Sequence, residues 1–358
     1  LPDVDTAYDP DRPLRTAVIA HIEDLSMIDE ILDRCAMVPE PSDLYITVTS
    51  VDHRAHVDSA IGRRGPELAA RSTVRVTESR QGRDMAAFLI TCADVLQDER
   101  YDLVVKLHTI ERGRLEFNAR RYFRRHQLEN LLSSRGYARN LIALFQREPG
   151  LGVVFPPTVH IGFGTMGRGW AGAVEAAHDL CREFGIRVPL DPISPLAPLG
   201  GVFVARREAL ALLTDRTWTW SDFGRHFPRS QIGFDRILER LVSNAAGELG
   251  YHSRTTINRE HASISHTALE EKVDQMFSTT PGYPVDQIQF LHAAGWAGHG
   301  GPVSILRMYL RMNRPGLSRA FEPLFAIAWR VLERVRRMRD RLRGRRSPGE
   351  IAQESSRI

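Results

Sequence analysis

STVRVTESRQGRDMAAFLITCADVLQDERYDLVVKLHT, residues 72–109, decides the fold. Its first eight residues mix β-branched and polar positions in alternation, the pattern of a strand. Asp84 is placed to N-cap a helix over MAAFLITCADVLQ (85–97). YDLVVKLHT (101–109) then reads as a second strand. A strand, one helix and a strand make a right-handed βαβ unit with two parallel strands. Working outward, RTAVIAHI (15–22) and DLYITVTS (43–50) are earlier strands. Ser26 is placed to cap a helix carrying Ile28, Ile31, Leu32 and Cys35 on one face, and a further helix falls within 52–70. On the other side, 110–148 is Arg-rich and helical, GVVFPP (152–157) is a strand, and a helix lies near 172–184. GGVFVARREALALL (200–213) reads as strand then helix. QIGFDRILERLV (231–242) is an amphipathic helix with Phe234, Ile237, Leu238, Leu241 and Val242 on its apolar face. The whole is α/β, with a mainly parallel Rossmann-type sheet.

Length and composition agree. The 358 residues amount to about two domains, or one large α/β domain with an appendage. A hydrophobic fraction of 42% with 26% charged residues argues against wholesale disorder. Cys35, Cys92 and Cys181 lie far apart without a CxxC pair. That excludes a disulfide scaffold and a thiolate zinc site, and fits a reducing, cytoplasmic setting. No run of 18 apolar residues is present to span a bilayer. The acidic, Pro-bearing start LPDVDTAYDPDRPLR does not read as a secretory signal. The expected layout is a tail over 1–14, an α/β domain over 15–255, an irregular segment over 256–302 and a basic helical region over 303–358.

Ligands of parallel sheets bind beyond the carboxyl ends of the strands. Those ends carry His21, Ser50, the turn Gly82-Arg83-Asp84, and Lys106 with His108. Lys106 and His108, two apart, share a strand face. Of 48 basic residues only Lys106 and Lys272 are lysines, so Lys106 persists in a chain that otherwise uses Arg. Arg83, Lys106 and His108 therefore form an expected site for a phosphate or diphosphate, with His21, Ser50, Gly82 and Asp84 beside them at the same strand ends.

Other motifs mislead. GFGTMG (162–167) matches GxGxxG but follows the fifth strand, whereas the dinucleotide fingerprint sits in the first strand–helix turn. GWAGHGGP (295–302) lacks the GK[ST] of a P-loop. His252, His261, His266, His292 and His299 show no metal-ligand spacing. There is no GxSxG.

Near the C-terminus, Leu324, Ala328, Val331, Val335, Met338 and Leu342 recur at steps of four and three. Between Trp329 and Arg346 nine Arg face two acidic residues, a net of +7 within an overall +4, so the rest of the chain is about −3. A basic amphipathic helix of this kind suits an anionic membrane surface, here the inner face of the cell membrane. The same pattern also serves a helix packed on its own domain or on a coiled-coil partner. Nucleic acid is not expected, because the basic run has no interleaved aromatics beyond Trp329.

GRDMAAFL (82–89), YDLVVKLHT (101–109), GGVFVARREAL (200–210) and ILERLV (237–242) together resemble the rhamnan synthesis protein F family, over roughly 15–255. The resemblance implies a GT-A-like glycosyltransferase that uses a nucleotide sugar, its nucleotide held by His21, Ser50, Gly82 and Asp84, to build rhamnose-containing bacterial cell-surface polysaccharide. It implies transfer of a deoxyhexose, rhamnose, from dTDP-rhamnose to a glycan or lipid-linked acceptor held near Gly200 and Gly201. Where ordinary GT-A enzymes carry a metal-binding Asp-x-Asp, this chain has Lys106-Leu107-His108. No divalent metal is therefore expected, Lys106 standing in its place. The family's Asp-Gly-Thr falls on Gln231-Ile232-Gly233, which leaves Asp222 or Asp235 as the acceptor's base. After KLHT the family's lysines and serine are replaced by Ile110-Glu111-Arg112. The alternative is a non-catalytic glycan-binding or assembly partner that has kept the fold and lost the base.

Overall fold

The computed structural model describes residues 1–110, 117–158, 169–192, 194–228 and 230–263, with short pieces between 306 and 324. The chain divides into two units, Leu1–Gln287 and Ile288–Ile358. The expected membrane helix at 324–346 and the GFGTMG loop lie outside the described residues, Leu324 apart.

Among the described residues seven strands form one sheet: β1 (Thr16–Ile22), β2 (Ser42–Val48), β3 (Ser72–Val76), β4 (Leu103–His108), β5 (Leu151–Phe155), β6 (Phe203–Arg206) and β7 (His252–Thr255). Their order is β3-β2-β1-β4-β6-β5-β7. β1 to β4 are mutually parallel, β6 runs antiparallel to both β4 and β5, and β7 is parallel to β5. The fold is thus α/β with a mostly parallel sheet. β7 falls in a stretch whose sequence shows no period, because its half-exposed edge has no apolar face to betray it.

Helices cover both faces. Helix α1 (Ile28–Cys35) follows a 3-10 turn capped by Asp24, not by Ser26, whose own amide donates to the Asp24 carboxylate. The helix expected within 52–70 is two, α2 (Val51–Arg63) and α3 (Pro66–Ala70), broken at Gly65. The expected 85–97 helix is also divided. Helix α4 (Arg83–Ala86) passes into a π turn (Ala87–Thr91), and α5 (Ala93–Gln97) follows beyond Cys92. Its N-cap is Gly82, and Asp84 lies inside the first turn. Helices α6 (Phe117–Leu131), α7 (Arg135–Arg147), α8 (Val174–Phe184), α9 (Ala211–Thr214) and α10 (Phe234–Glu248) follow.

Alternation along β4 shows how the sheet serves two cores. Leu103, Val105 and Leu107 enter the apolar layer beneath α1, α2, α6 and α7. Val104 points to the opposite layer, built with α4, α5, α8 and α10. Lys106 and His108 share that second face, so the alternation that buries Val104 also buries them. Residues 1–14, expected as a tail, are strapped along α7. Asn140 binds the carbonyls of Pro2 and Val4, and Gln146 those of Asp9 and Arg12.

Candidate functional site

The chain builds β2 and β3 on one side of β1 and then crosses to place β4 on the other. A reversal of this kind opens a crevice at the carboxyl ends of the two central strands. A cleft of about 420 Å³, its open mouth included, lies there. It is lined by His21 near the end of β1 and Glu23 beyond it, by His108 at the end of β4 with Thr109 and Ile110 beyond it, by Arg83 and Asp84 of α4, and by Phe123, Gly200 and Arg236. His21 and His108 are register partners, and the Thr109 hydroxyl accepts from the Glu23 amide at 3.0 Å, tying the two strand ends together.

The turn into α4 is unusual. Gly82 sits at φ +73, and a Cβ there would come within 2.3 Å of the Phe223 ring. Arg83 follows at φ +48, a left-handed conformation that is costly for a residue with a side chain. Its guanidinium, with the side chain 51% exposed, lines the cleft, and Nε donates to Asp235 at 3.4 Å.

Beneath the cleft lies a buried charge network. Lys106 Nζ donates to Asp84 Oδ2 at 2.6 Å and to the Gly201 carbonyl at 2.9 Å. The rings of Phe88 and Phe203 flank it at 5.7 and 6.0 Å. Arg236 on α10 reaches Asp84 at 3.5 Å, Asp235 at 3.8 Å and Glu239. Glu239 accepts from the Gly200 amide at 3.1 Å and pairs with Arg240 at 3.7 Å. Burial opposes ionisation of Asp84, but His108, Lys106 and Arg236 outweigh it and hold the carboxyl well below its ordinary range. Glu239 is likewise held low, burial being outweighed by Arg236 and Arg240. Burial has the upper hand at Asp235, whose carboxyl is raised despite Arg236 and Arg83. Gly201 makes the network possible. It sits at φ +75, and a Cβ would lie 2.8 Å from His108 Nε2 and 3.0 Å from Asp84 Oδ2.

The expected site residues divide accordingly. His21, Arg83, Asp84, His108 and Gly200 line the cleft, and Asp235 adjoins it through Arg83. His21 Nδ1 lies 2.9 Å from the Thr47 hydroxyl, and burial lowers its pKa to about 4. His108 Nε2–H donates to the Gly200 carbonyl at 2.7 Å, and burial pulls its pKa down against the pull of Asp84.

Lys106 corrects the expectation of a direct diphosphate contact. It is 1% exposed and its donors face Asp84 and Gly201, so it acts on the cleft only through Asp84. Gly201 is not among the lining residues, and its carbonyl serves Lys106 instead of an acceptor. Ser50 caps α2 by accepting from the His53 amide, and does not line the cleft. Asp222 closes a capping box on the 3-10 turn Trp220–Gly224, where the Thr219 hydroxyl and amide bind its carboxylate and lower its pKa. That occupied, acidic carboxylate is a poor base.

Phe123, Arg236 and Glu239 were not among the expected site residues, whereas Glu23 and Thr109 stand at strand ends that were expected to face a ligand. A signal for Arg236 and Glu239 was present. Asp235, Arg236, Glu239 and Arg240 are spaced i, i+4 in two charged rows on an otherwise amphipathic helix, the spacing of a shared face.

Among the described residues no group of three or more His, Cys, Asp or Glu is placed to hold a metal ion, and no helix is long and apolar enough to cross a membrane. No curated protein matches the chain. A solved structure, a CMP:2-keto-3-deoxy-manno-octonic acid synthetase complexed with CTP, is 12% identical and covers 73% of this chain and 99% of its own at a TM-score of 0.33. A likeness that low carries no argument. The family model for rhamnan synthesis protein F matches residues 3–251, a span that takes in β1 to α10 and every residue lining the cleft. With that span added to the segments at 82–89, 101–109, 200–210 and 237–242, the chain belongs to the rhamnan synthesis protein F family.

Proposed function

We propose that this chain is a glycosyltransferase that moves a deoxyhexose, rhamnose, from dTDP-rhamnose to a growing cell-surface polysaccharide or its lipid-linked precursor, without a divalent metal. The observation that carries this reading is the meeting of two guanidinium groups, Arg83 and Arg236, with the raised carboxyl of Asp235 at one switch-point cleft. Membership of the family supports a role in rhamnan synthesis.

In this reading Arg83 and Arg236 receive the diphosphate. As the sugar–oxygen bond breaks, negative charge grows on the leaving phosphate, and fixed cations favour that state over the ground state. Arg83, strained and half in solvent, exchanges its long contact with Asp235 for the phosphate oxygens. Asp235, freed of that partner and raised by burial, takes the proton of the acceptor hydroxyl as the hydroxyl oxygen attacks the anomeric carbon. Lys106 acts at one remove: it balances Asp84, which in turn holds Arg236.

The test is donor turnover. Purified protein with dTDP-rhamnose and a rhamnan or lipid-linked acceptor should release dTDP in the presence of a chelator. A strict requirement for magnesium or manganese would overturn the metal-free mechanism. Donor binding with no turnover on any acceptor would assign the chain to the non-catalytic partner class instead.

A further inference from the structure

Helix α6 carries an unmatched polar group beside the cleft. Gln127 lies one turn beyond Phe123, which lines the cleft. It is 1% exposed, and among the described residues neither its Nε2 nor its Oε1 has a hydrogen-bond partner. Its polar neighbours on the helix are matched. His126 Nε2 lies 2.7 Å from the Pro157 carbonyl, Asn130 Oδ1 accepts from the Asn258 amide at 2.9 Å, and Glu129 pairs with His261 at 2.9 Å. The amide of Gln127 lies against Gly200, another lining residue: a Cβ on Gly200 would be 2.6 Å from Oε1.

An unpaired buried amide lowers stability, and an apolar side chain of the same length would fill the space without that cost. Such a group calls for a partner from outside the described chain, an ordered water or a bound ligand. A glutamine amide offers both a donor and an acceptor, and a sugar hydroxyl is the matching group because it accepts and donates at one oxygen. Gly200 has no side chain to stand between the amide and the cleft.

We propose that Gln127 is a specificity-determining residue that reads a hydroxyl of the donor sugar, its amide turning past Gly200 to reach the bound ligand. The proposal rests on the nucleotide-sugar reading of the cleft. It assigns Gln127 to the sugar and leaves the diphosphate to the arginines.

Gln127→Met tests it in the full chain, with Gln127→Leu as a second apolar variant. Binding of dTDP and of dTDP-rhamnose is measured by calorimetry, and ligand-free stability by thermal melting. The expected result is a melting temperature equal to or above that of the parent, dTDP binding unchanged, and dTDP-rhamnose binding weakened by about tenfold, the scale of one hydrogen bond. Parental affinity for both ligands would overturn the proposal. So would a lower melting temperature with both ligands weakened alike, which would make the amide structural. A parent protein that binds neither ligand would refute the nucleotide-sugar reading itself, and this assignment with it.

Discussion

Asp235 and Asp222 illustrate how environment sorts two carboxylates thirteen residues apart. Asp222 is spent on a cap and lowered by Thr219; Asp235 is buried, raised and in reach of Arg83. Asp235→Asn should reduce transfer by about 10²–10⁴-fold with donor affinity retained, and the parent rate should fall as pH drops through the raised pKa, because a base must be ionised. Asp222→Asn should keep most activity and lose about 1 kcal/mol of stability with its cap. Initial rates and donor titrations of the two variants check this; equal loss in both would remove the distinction. Lys106 invites a similar separation. Removing one member of a buried ion pair costs about 3–5 kcal/mol when the other charge is left unpaired, and Arg236, still 3.5 Å from Asp84, offsets part of that here. Lys106→Ala should therefore shift the urea midpoint well below the parent's. A variant of parental stability that has nonetheless lost turnover would show that the ammonium acts on substrate directly.

The tips of β1, β2 and β4 are the element on which pH acts. His21 on β1 is buried beside Thr47 of β2, and its pKa falls from 6.5 to about 4. Between those values the unfolded chain takes up a proton that the folded chain refuses. The contribution of His21 to stability is thus complete above about pH 6.5 and is lost as pH falls toward 4, about 3 kcal/mol in all. His108 on β4 is shifted in the same direction and adds to the slope. Thermal melts of the parent should fall steadily across that window, and His21→Gln should flatten the fall without abolishing it. An identical slope in the variant would place the titrating group elsewhere.

At the scale of the whole molecule, charge is unevenly shared: the +7 between Trp329 and Arg346 stands against about −3 in the remainder. We propose that this basic segment holds the protein to the inner face of the cell membrane. Each basic residue near an anionic surface contributes about 1 kcal/mol, and salt screens the attraction over roughly 10 Å at 0.1 M. Cosedimentation of the full chain with phosphatidylglycerol vesicles should fall steeply with added salt. It should also fall when Arg334, Arg336, Arg337 and Arg341 are changed to Gln. Salt-independent binding, or binding equal to the parent's in the substituted chain, would refute the surface role.

Local pattern alone determined six of the seven strands and which stretches between them are helical, because alternation and apolar periodicity are written in neighbouring residues. The breaks within those helices, the strand order and with it the switch point were decided by tertiary structure. Local pattern also placed Arg83, His21 and His108 at the right end of the sheet. The partners of each charge were decided by tertiary structure. Lys106 looked like a ligand-facing cation because its strand ends at the crevice. Its burial depends on Phe88, Phe203 and Gly201, up to 97 residues away in sequence but stacked around one ammonium. The i, i+4 charges put Arg236 and Glu239 on one face of α10, but their place at the cleft, and that of Gln127, was decided when α10 and α6 were set against Gly200. Desolvation and Coulomb energies depend on distances in space, and the chain's own order does not contain those distances.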